Sequence, residues 1–259
     1  MLATLIEGFE VRTVYAGELG RGAYLGRPDA RAPRLVADEA EVTAELAGAT
    51  VVDGRDWAGA MDAVHELGLG LVRLVAAARA GAPRAVVRLA VGNDFLLQVA
   101  KLRALRALWA RVAELGAAPE LVVWVEPSAH GWTVYDPWVN LLRNTAGCFA
   151  AIVGGADWVG PRAFDAALGE PDAQARRLAE NTFHLLVHEG HVASPGDPAA
   201  GSWAIEAWTS ELAARAWGVM QDLERHGSAG GDDASVASIA ASIGASARRP
   251  ARRAYRQAP

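Results

Sequence analysis

Five short apolar runs set the strongest constraint on this chain: RLVA (34–37), ATVVD (49–53), AVVRLAV (85–91), LVVWVE (121–126) and ADWV (156–159). Each is followed by a stretch with helical spacing, at 38–48, 57–80, 94–116, 136–153 and 172–189, and a last helix is expected over 202–226. A strand that is apolar at every position, rather than at alternate ones, is buried on both faces. Strands of that kind alternating with helices predict a parallel α/β core. A complete eight-stranded (β/α) barrel would be the default at 259 residues. The strand count stops at five, too few to close a barrel of ordinary shear. The expectation is therefore an incomplete TIM-barrel-like fold of about five parallel strands with flanking helices and a C-terminal helical extension. Its domain limits are an N-terminal extension or hairpin over 1–33, the truncated barrel over 34–227, and an Ala, Ser and Arg-rich tail over 228–259.

Composition removes several function classes. A formal net charge of −5 argues against a nucleic-acid footprint. No segment reaches the roughly 20 uninterrupted apolar residues of a membrane span, and the first residues, MLATLIEGFEVRTVY, lack the basic start of a signal peptide. A lone cysteine, Cys148, excludes an intramolecular disulfide and reads as a buried hydrophobe in a reducing cytoplasm.

One helix poses a question of its own. In DPWVNLLRNTAGCFAAIVGGAD, Asp136 and Pro137 predict a capped start, and Gly154 and Gly155 a glycine stop. Asn140, Arg143 and Asn144 fall on one side of it. Arg177, Asn181, His184 and His188 fall on one side of the next helix, so a polar seam between the two helices is expected, with a partner surface as the alternative. HLLVHEGH (184–191) is one residue short of a zincin HExxH motif, so no metal site is assigned.

In parallel α/β barrels, chemistry sits at the C-terminal ends of the strands. There the sequence places Asp53 to Asp56, Asn93 and Asp94, Glu126 to His130, and Arg162. Asp56, Glu126 and His130 are the candidate acid–base groups. Ser128 and Asn93 are candidate substrate contacts, with Trp57, Trp124 and Trp132 as a stacking wall. The alternative for Asp94 is a plain helix cap.

The runs NDFLLQVAKLRALRALWARV, DPWVNLLRNTAGCFAAIVGGAD, FDAALGEPDAQARRLAENT and DPAAGSWAIEAWTSELAARAW, ordered and collinear, resemble the second half of the catalytic barrel of methylmalonyl-CoA mutases, especially the small-subunit type. EGFEVRTVY resembles the start of that barrel. RGAY with GRP, including Arg27, resembles a shortened acyl-CoA-contacting hairpin. The resemblance skips strands two to four. It implies a tyrosine on the first strand, where this chain has Val36, and a thioester-directed histidine after strand five, where it has Asp56. An ionised Asp56 has no proton to donate to a carbonyl. The substrate-carboxylate arginine belongs to the skipped strands, and the Gln-Thr-Ser-Gly run after strand seven reads EPSAHG. No Asp-x-His-x-x-Gly cobalamin motif follows, so the expected cofactor set is none in this chain, with cobalamin coming only from a partner. Three readings follow. The chain is a pseudoenzyme or subunit, forming a homo-oligomer or joining a mutase-type partner. Alternatively it is a cobalamin-independent enzyme acting on a small-molecule acyl thioester or polyketide-like intermediate. The third is a half-barrel subunit of a split mutase.

Overall fold

A computed structural model describes residues 32–116 and 118–225, together with the backbone of two short strands, Thr4–Ile6 (β1) and Phe9–Val11 (β2), which pair antiparallel. Five further strands form one parallel sheet: Arg34–Leu35 (β3), Thr50–Gly54 (β4), Arg84–Val91 (β5), Glu120–Pro127 (β6) and Trp158–Val159 (β7). Their spatial order is β3-β7-β6-β5-β4, and the sheet does not close. Six helices accompany it: Glu39–Glu45 (α1), Ala63–Arg79 (α2), Phe95–Leu115 (α3), Trp138–Val153 (α4), Ala173–His184 (α5) and Trp203–Arg225 (α6).

Strand order explains where the helices lie. The steps β4 to β5, β5 to β6 and β6 to β7 all move along the sheet in one direction, and right-handed crossovers then put α2, α3 and α4 on one face. The connection from β3 to β4 runs the opposite way, across the whole sheet. The same handedness therefore sends α1 to the other face. Side-chain parity agrees. Val87, Leu89, Val123 and Val125 point into the large core under α2, α3, α4 and α6. Val86, Val122, Trp124 and Trp158 point the other way, into a second core closed by Val42 and Leu46 of α1. A barrel would keep that second face for its interior. Here a seven-residue helix covers it.

The large core also holds buried ion pairs. Lys101 of α3 donates to Glu66 of α2 at 2.7 Å and to the Ala90 carbonyl at 3.1 Å. Arg103 of α3 pairs with Asp197 and, at 2.6 Å, with Glu206 of α6. Close helix contact depends on Gly68, where a Cβ would lie 2.6 Å from Val219 Cγ1 on α6.

Several local expectations change. The helix expected over 57–80 starts only at Ala63, where Asp62 accepts from the His65 N–H, because Arg55–Trp57 forms a 3-10 turn first. The carboxylate of Asp136 is not a cap: α4 starts at Trp138 without a side-chain cap, and Asp136 contributes only its carbonyl, to the Val139 N–H. Asp94 likewise makes no side-chain cap for α3. The glycine stop of α4 is present. Gly155 has φ +87°, and the Gly155 and Ala156 N–H groups donate to the Ile152 and Ala151 carbonyls, a Schellman pair. α5 gives way after His184 to a π-helical turn, Leu185–Glu189, rather than continuing as α-helix to 189. Among the described residues no helix is long and apolar enough to cross a membrane.

Candidate functional site

The strand ends carry two clefts that share a wall. The larger, about 630 Å³, is lined by Arg55, Asp56, Ser128, His130 and Arg162 among others. The smaller, about 450 Å³, lies over the ends of β3 and β7 and is lined by Val36, Glu39, Arg88, Glu126 and Arg176, with Arg55 and Arg162 again on its edge. Of the three acid–base candidates, Asp56 and His130 thus meet in one cleft, while Glu126 lies in the other.

Glu126 is the centre of an ion network. Arg88 Nε donates to its Oε1 at 2.6 Å, and Arg88 Nη2 also reaches that oxygen. Its Oε2 lies 3.4 Å from Arg162 Nη2 and 3.7 Å from Arg55 Nη1. Arg88 is buried, stacks 3.9 Å over the Trp124 ring, and binds Glu39 of α1 with its remaining donors. Buried charge is tolerable only when matched in this way. A carboxylate held by three guanidiniums is an anchor, with both oxygens already engaged. The network also bolts α1 to the sheet.

These pairings set the titration behaviour. Hydrogen bonding from Arg88 holds the Glu39 carboxyl below the ordinary glutamate range. Burial pushes the Asp53 carboxyl up, but the side-chain and backbone hydrogen bonds of Arg55, with its charge, outweigh it and leave Asp53 below its ordinary value. A carboxylate depressed in the folded state stabilises fully above its unfolded pKa and loses that contribution as pH falls through the folded one. The unfolding free energy is therefore expected to fall as pH drops below about 4, and Glu39→Gln is expected to flatten that fall. Urea titrations of both proteins at stepped pH measure it; equal slopes would remove Glu39 from the account. Burial pushes the Cys148 thiol up, so it stays protonated and inert inside α4.

The polar stripe on α4 has a different job from a helix–helix seam. Asn140, fully buried, accepts from the Thr133 N–H at 3.0 Å and donates to the carbonyls of Thr133 and Phe164 at 2.8 and 3.0 Å. Arg143 donates to the Asn140 oxygen at 2.9 Å. Asn144, also fully buried, accepts from the Arg162 N–H at 2.8 Å. The two amides tie down the loops that follow β6 and β7, which carry His130 and Arg162. Arg177, Asn181 and His184 of α5 and His188 of the π-helical turn are exposed, and the His184 and His188 rings stack at 5.5 Å. The seam expectation fails because the amides find loop backbone closer than the neighbouring helix. Among the described residues no group of three or more His, Cys, Asp or Glu is placed to hold a metal ion.

The tryptophan wall is also not assembled. Trp57 is buried in the large core beside α2, and Trp124 in the second core on the opposite face. Trp132 is half-buried in the turn after β6, its backbone N–H donating to the Ala129 carbonyl. Ser128 is buried, lines the larger cleft and accepts from the His130 N–H at 3.1 Å. The His130 ring packs on Gly59, a residue at φ +83° whose added Cβ would lie 2.6 Å from that ring. Asn93 is exposed beside Gly131. Val36 continues the β3 ladder by one bond, its N–H to the Val159 carbonyl at 2.8 Å, and borders the smaller cleft. Arg27 lies outside the described residues. Sequence reasoning missed Arg88 and Glu39. The available signal was a charge in the middle of an otherwise apolar strand, AVVRLAV, which demands a buried partner.

Residues 71–254 match the family model for methylmalonyl-CoA mutase. A methylmalonyl-CoA mutase small subunit of Streptomyces virginiae is 42% identical over 185 residues, 70% of this chain and 28% of that protein. A probable small subunit of Mycobacterium bovis is 47% identical over 148 residues, 54% of this chain and 24% of that protein. The small subunit of Propionibacterium freudenreichii subsp. shermanii is 38% identical over 145 residues, covering 54% and 23%. The chain therefore spans about a quarter of the length of these curated relatives. With the order of its parallel strands and the extent of the match together, the chain belongs to the methylmalonyl-CoA mutase family.

Proposed function

We propose that this chain is a mutase-family protein without autonomous mutase activity, a pseudoenzyme or subunit that assembles with a second copy or with a mutase-type partner. One observation carries the reading: α1 covers the sheet face that a barrel would keep for its interior, with Val42 and Leu46 packed on Trp124 and Trp158 and Glu39 bound to Arg88. Val36 and Asp56, at the positions the resemblance assigns to a tyrosine and a histidine, point the same way. So do surfaces that invite assembly. Among the described residues β4 pairs on one side only, with Val51 exposed. The outer side of α4 exposes Trp138 (58%), Leu142 (70%) and Phe149 (37%), near Leu96 of α3 (46%). The relatives named above are called small subunits.

Cobalamin, which the family implies, finds no match in the described residues. A corrin needs a broad apolar plate. The strand ends offer Arg55, Asp56, His130 and Arg162, and two of the three tryptophans that could form such a plate, Trp57 and Trp124, are turned into the two cores. In this reading cobalamin belongs to the partner.

Light scattering behind size-exclusion chromatography should find the purified chain as a dimer or larger, or recruited into a complex by a co-expressed mutase subunit. A compact monomer indifferent to such a subunit, or one that isomerises methylmalonyl-CoA unaided, would overturn the proposal. The meeting of Asp56, Ser128 and His130 in one cleft favours a second reading, a repurposed cobalamin-independent enzyme. Under it Asp56→Asn and His130→Ala each abolish whatever turnover of an acyl thioester the chain displays, whereas under the first reading there is none to lose.

A further inference from the structure

The wall shared by the two clefts, with Arg55 and Arg162 on it, holds more N–H donors than contacts within the protein use. Four arginines, Arg55, Arg88, Arg162 and Arg176, line the smaller cleft. Three of them are matched by a carboxylate at close range: Arg88 by Glu39 and Glu126, Arg55 by Asp53 at 2.7 Å, and Arg176 by Glu170 at 2.8 Å. Arg162 differs. Its Nε reaches the Pro127 carbonyl at 3.2 Å, and its Nη2 reaches Glu126 at 3.4 Å, an oxygen it shares with Arg55. Both contacts are long for charge-assisted bonds, which normally fall near 2.7–2.9 Å. A guanidinium carries five N–H donors, so most of the capacity of Arg162 is unspent.

The backbone that carries it is nonetheless fixed. The Arg162 backbone N–H is held by fully buried Asn144 at 2.8 Å, and the following turn by the bond from Asn140 to the Phe164 carbonyl. The Arg162 side chain is about one third exposed, facing both clefts. With the partner carboxylates counted, the network of four arginines, Glu39, Glu126, Asp53 and Glu170 is neutral, so the site is not a diffuse cationic patch. It is one pre-positioned fork with spare donors, backed by Arg55 and facing Ser128 and His130 across the larger cleft. Planar, bidentate recognition of a carboxylate or phosphate is the chemistry such a fork performs best.

We infer that Arg162, with Arg55 behind it, is the anchor of a binding site for the carboxylate or phosphate group of a small molecule seated in the clefts at the strand ends. The inference is independent of the assembly reading, because it concerns groups within one chain. Calorimetric titration of the purified 259-residue chain with succinate and, separately, with inorganic phosphate tests it, at matched ionic strength. Saturable binding of at least one is expected. Response to succinate alone assigns a carboxylate ligand, and response to phosphate alone a phosphoryl ligand. Arg162→Ala is expected to weaken the binding about tenfold or more. Arg162→Lys should recover only part of it, since a lysine keeps the charge and loses the fork. Arg84→Ala, at the far end of β5, should leave it unchanged. If Arg162→Ala is misfolded by circular dichroism, the lysine variant carries the test alone. Absence of saturable binding by either anion, or unaltered binding in a folded Arg162 variant, overturns the site.

Discussion

Replacing Arg103 by alanine is expected to lower the unfolding free energy by about 3–5 kcal/mol, the usual consequence of stripping one member from a buried ion pair. Arg103 is almost completely inaccessible on α3, and its guanidinium joins Asp197, in the loop before α6, to Glu206 on α6 itself. Glu206 also accepts from the Gly201 N–H at 3.2 Å, so the same carboxylate shapes that loop. Alanine would leave two carboxylates facing each other in a low-dielectric pocket. The loss comes from those orphaned charges more than from the pair's own attraction. A triple variant, Arg103→Met with Asp197→Asn and Glu206→Gln, is therefore expected to recover much of the deficit. Urea unfolding of the three proteins checks both statements. A single variant costing under about 1 kcal/mol would mean that water reaches the site.

Trp124→Ala is expected to cost a similar amount, about 3–5 kcal/mol, by opening a cavity that cannot fully collapse. Its location makes the experiment informative beyond its size. The ring fills the second core between the sheet and α1, beneath the Arg88 guanidinium and against Val42 and Leu46. Residues 39–46 depend on that small core and on the bond from Arg88 to Glu39, while α2, α3 and α6 pack on the opposite face. Amide exchange should accelerate selectively in 39–46, with the amides of α3 little changed. Uniform acceleration throughout the molecule would show that α1 is integral to one cooperative unit. The reading of α1 as a covering for an unused barrel interior would then lose its main support.

Most elements could be read directly from residue patterns. ATVVD, AVVRLAV and LVVWVE announce strands buried on both faces, and the glycine pair after Val153 announces the end of α4, because these are local demands of backbone and solvent. The open sheet was legible too, since five apolar runs are too few to close a barrel of ordinary shear. Asp136 misled for an equally local reason. A good capping residue was present, yet α4 starts at Trp138 and draws only on its backbone carbonyl.

What residue patterns determined, then, is an open parallel α/β sheet and membership of the mutase family. Only the tertiary structure decided which face each tryptophan enters, because a strand apolar at every position does not say which parity is inside. It alone sent α1 across the would-be interior, a consequence of crossover handedness acting on a strand order that no local pattern encodes. And it alone gathered Glu39, Arg88, Glu126 and Arg162 into one network, since a buried charge advertises the need for a partner but not which distant residue will meet it.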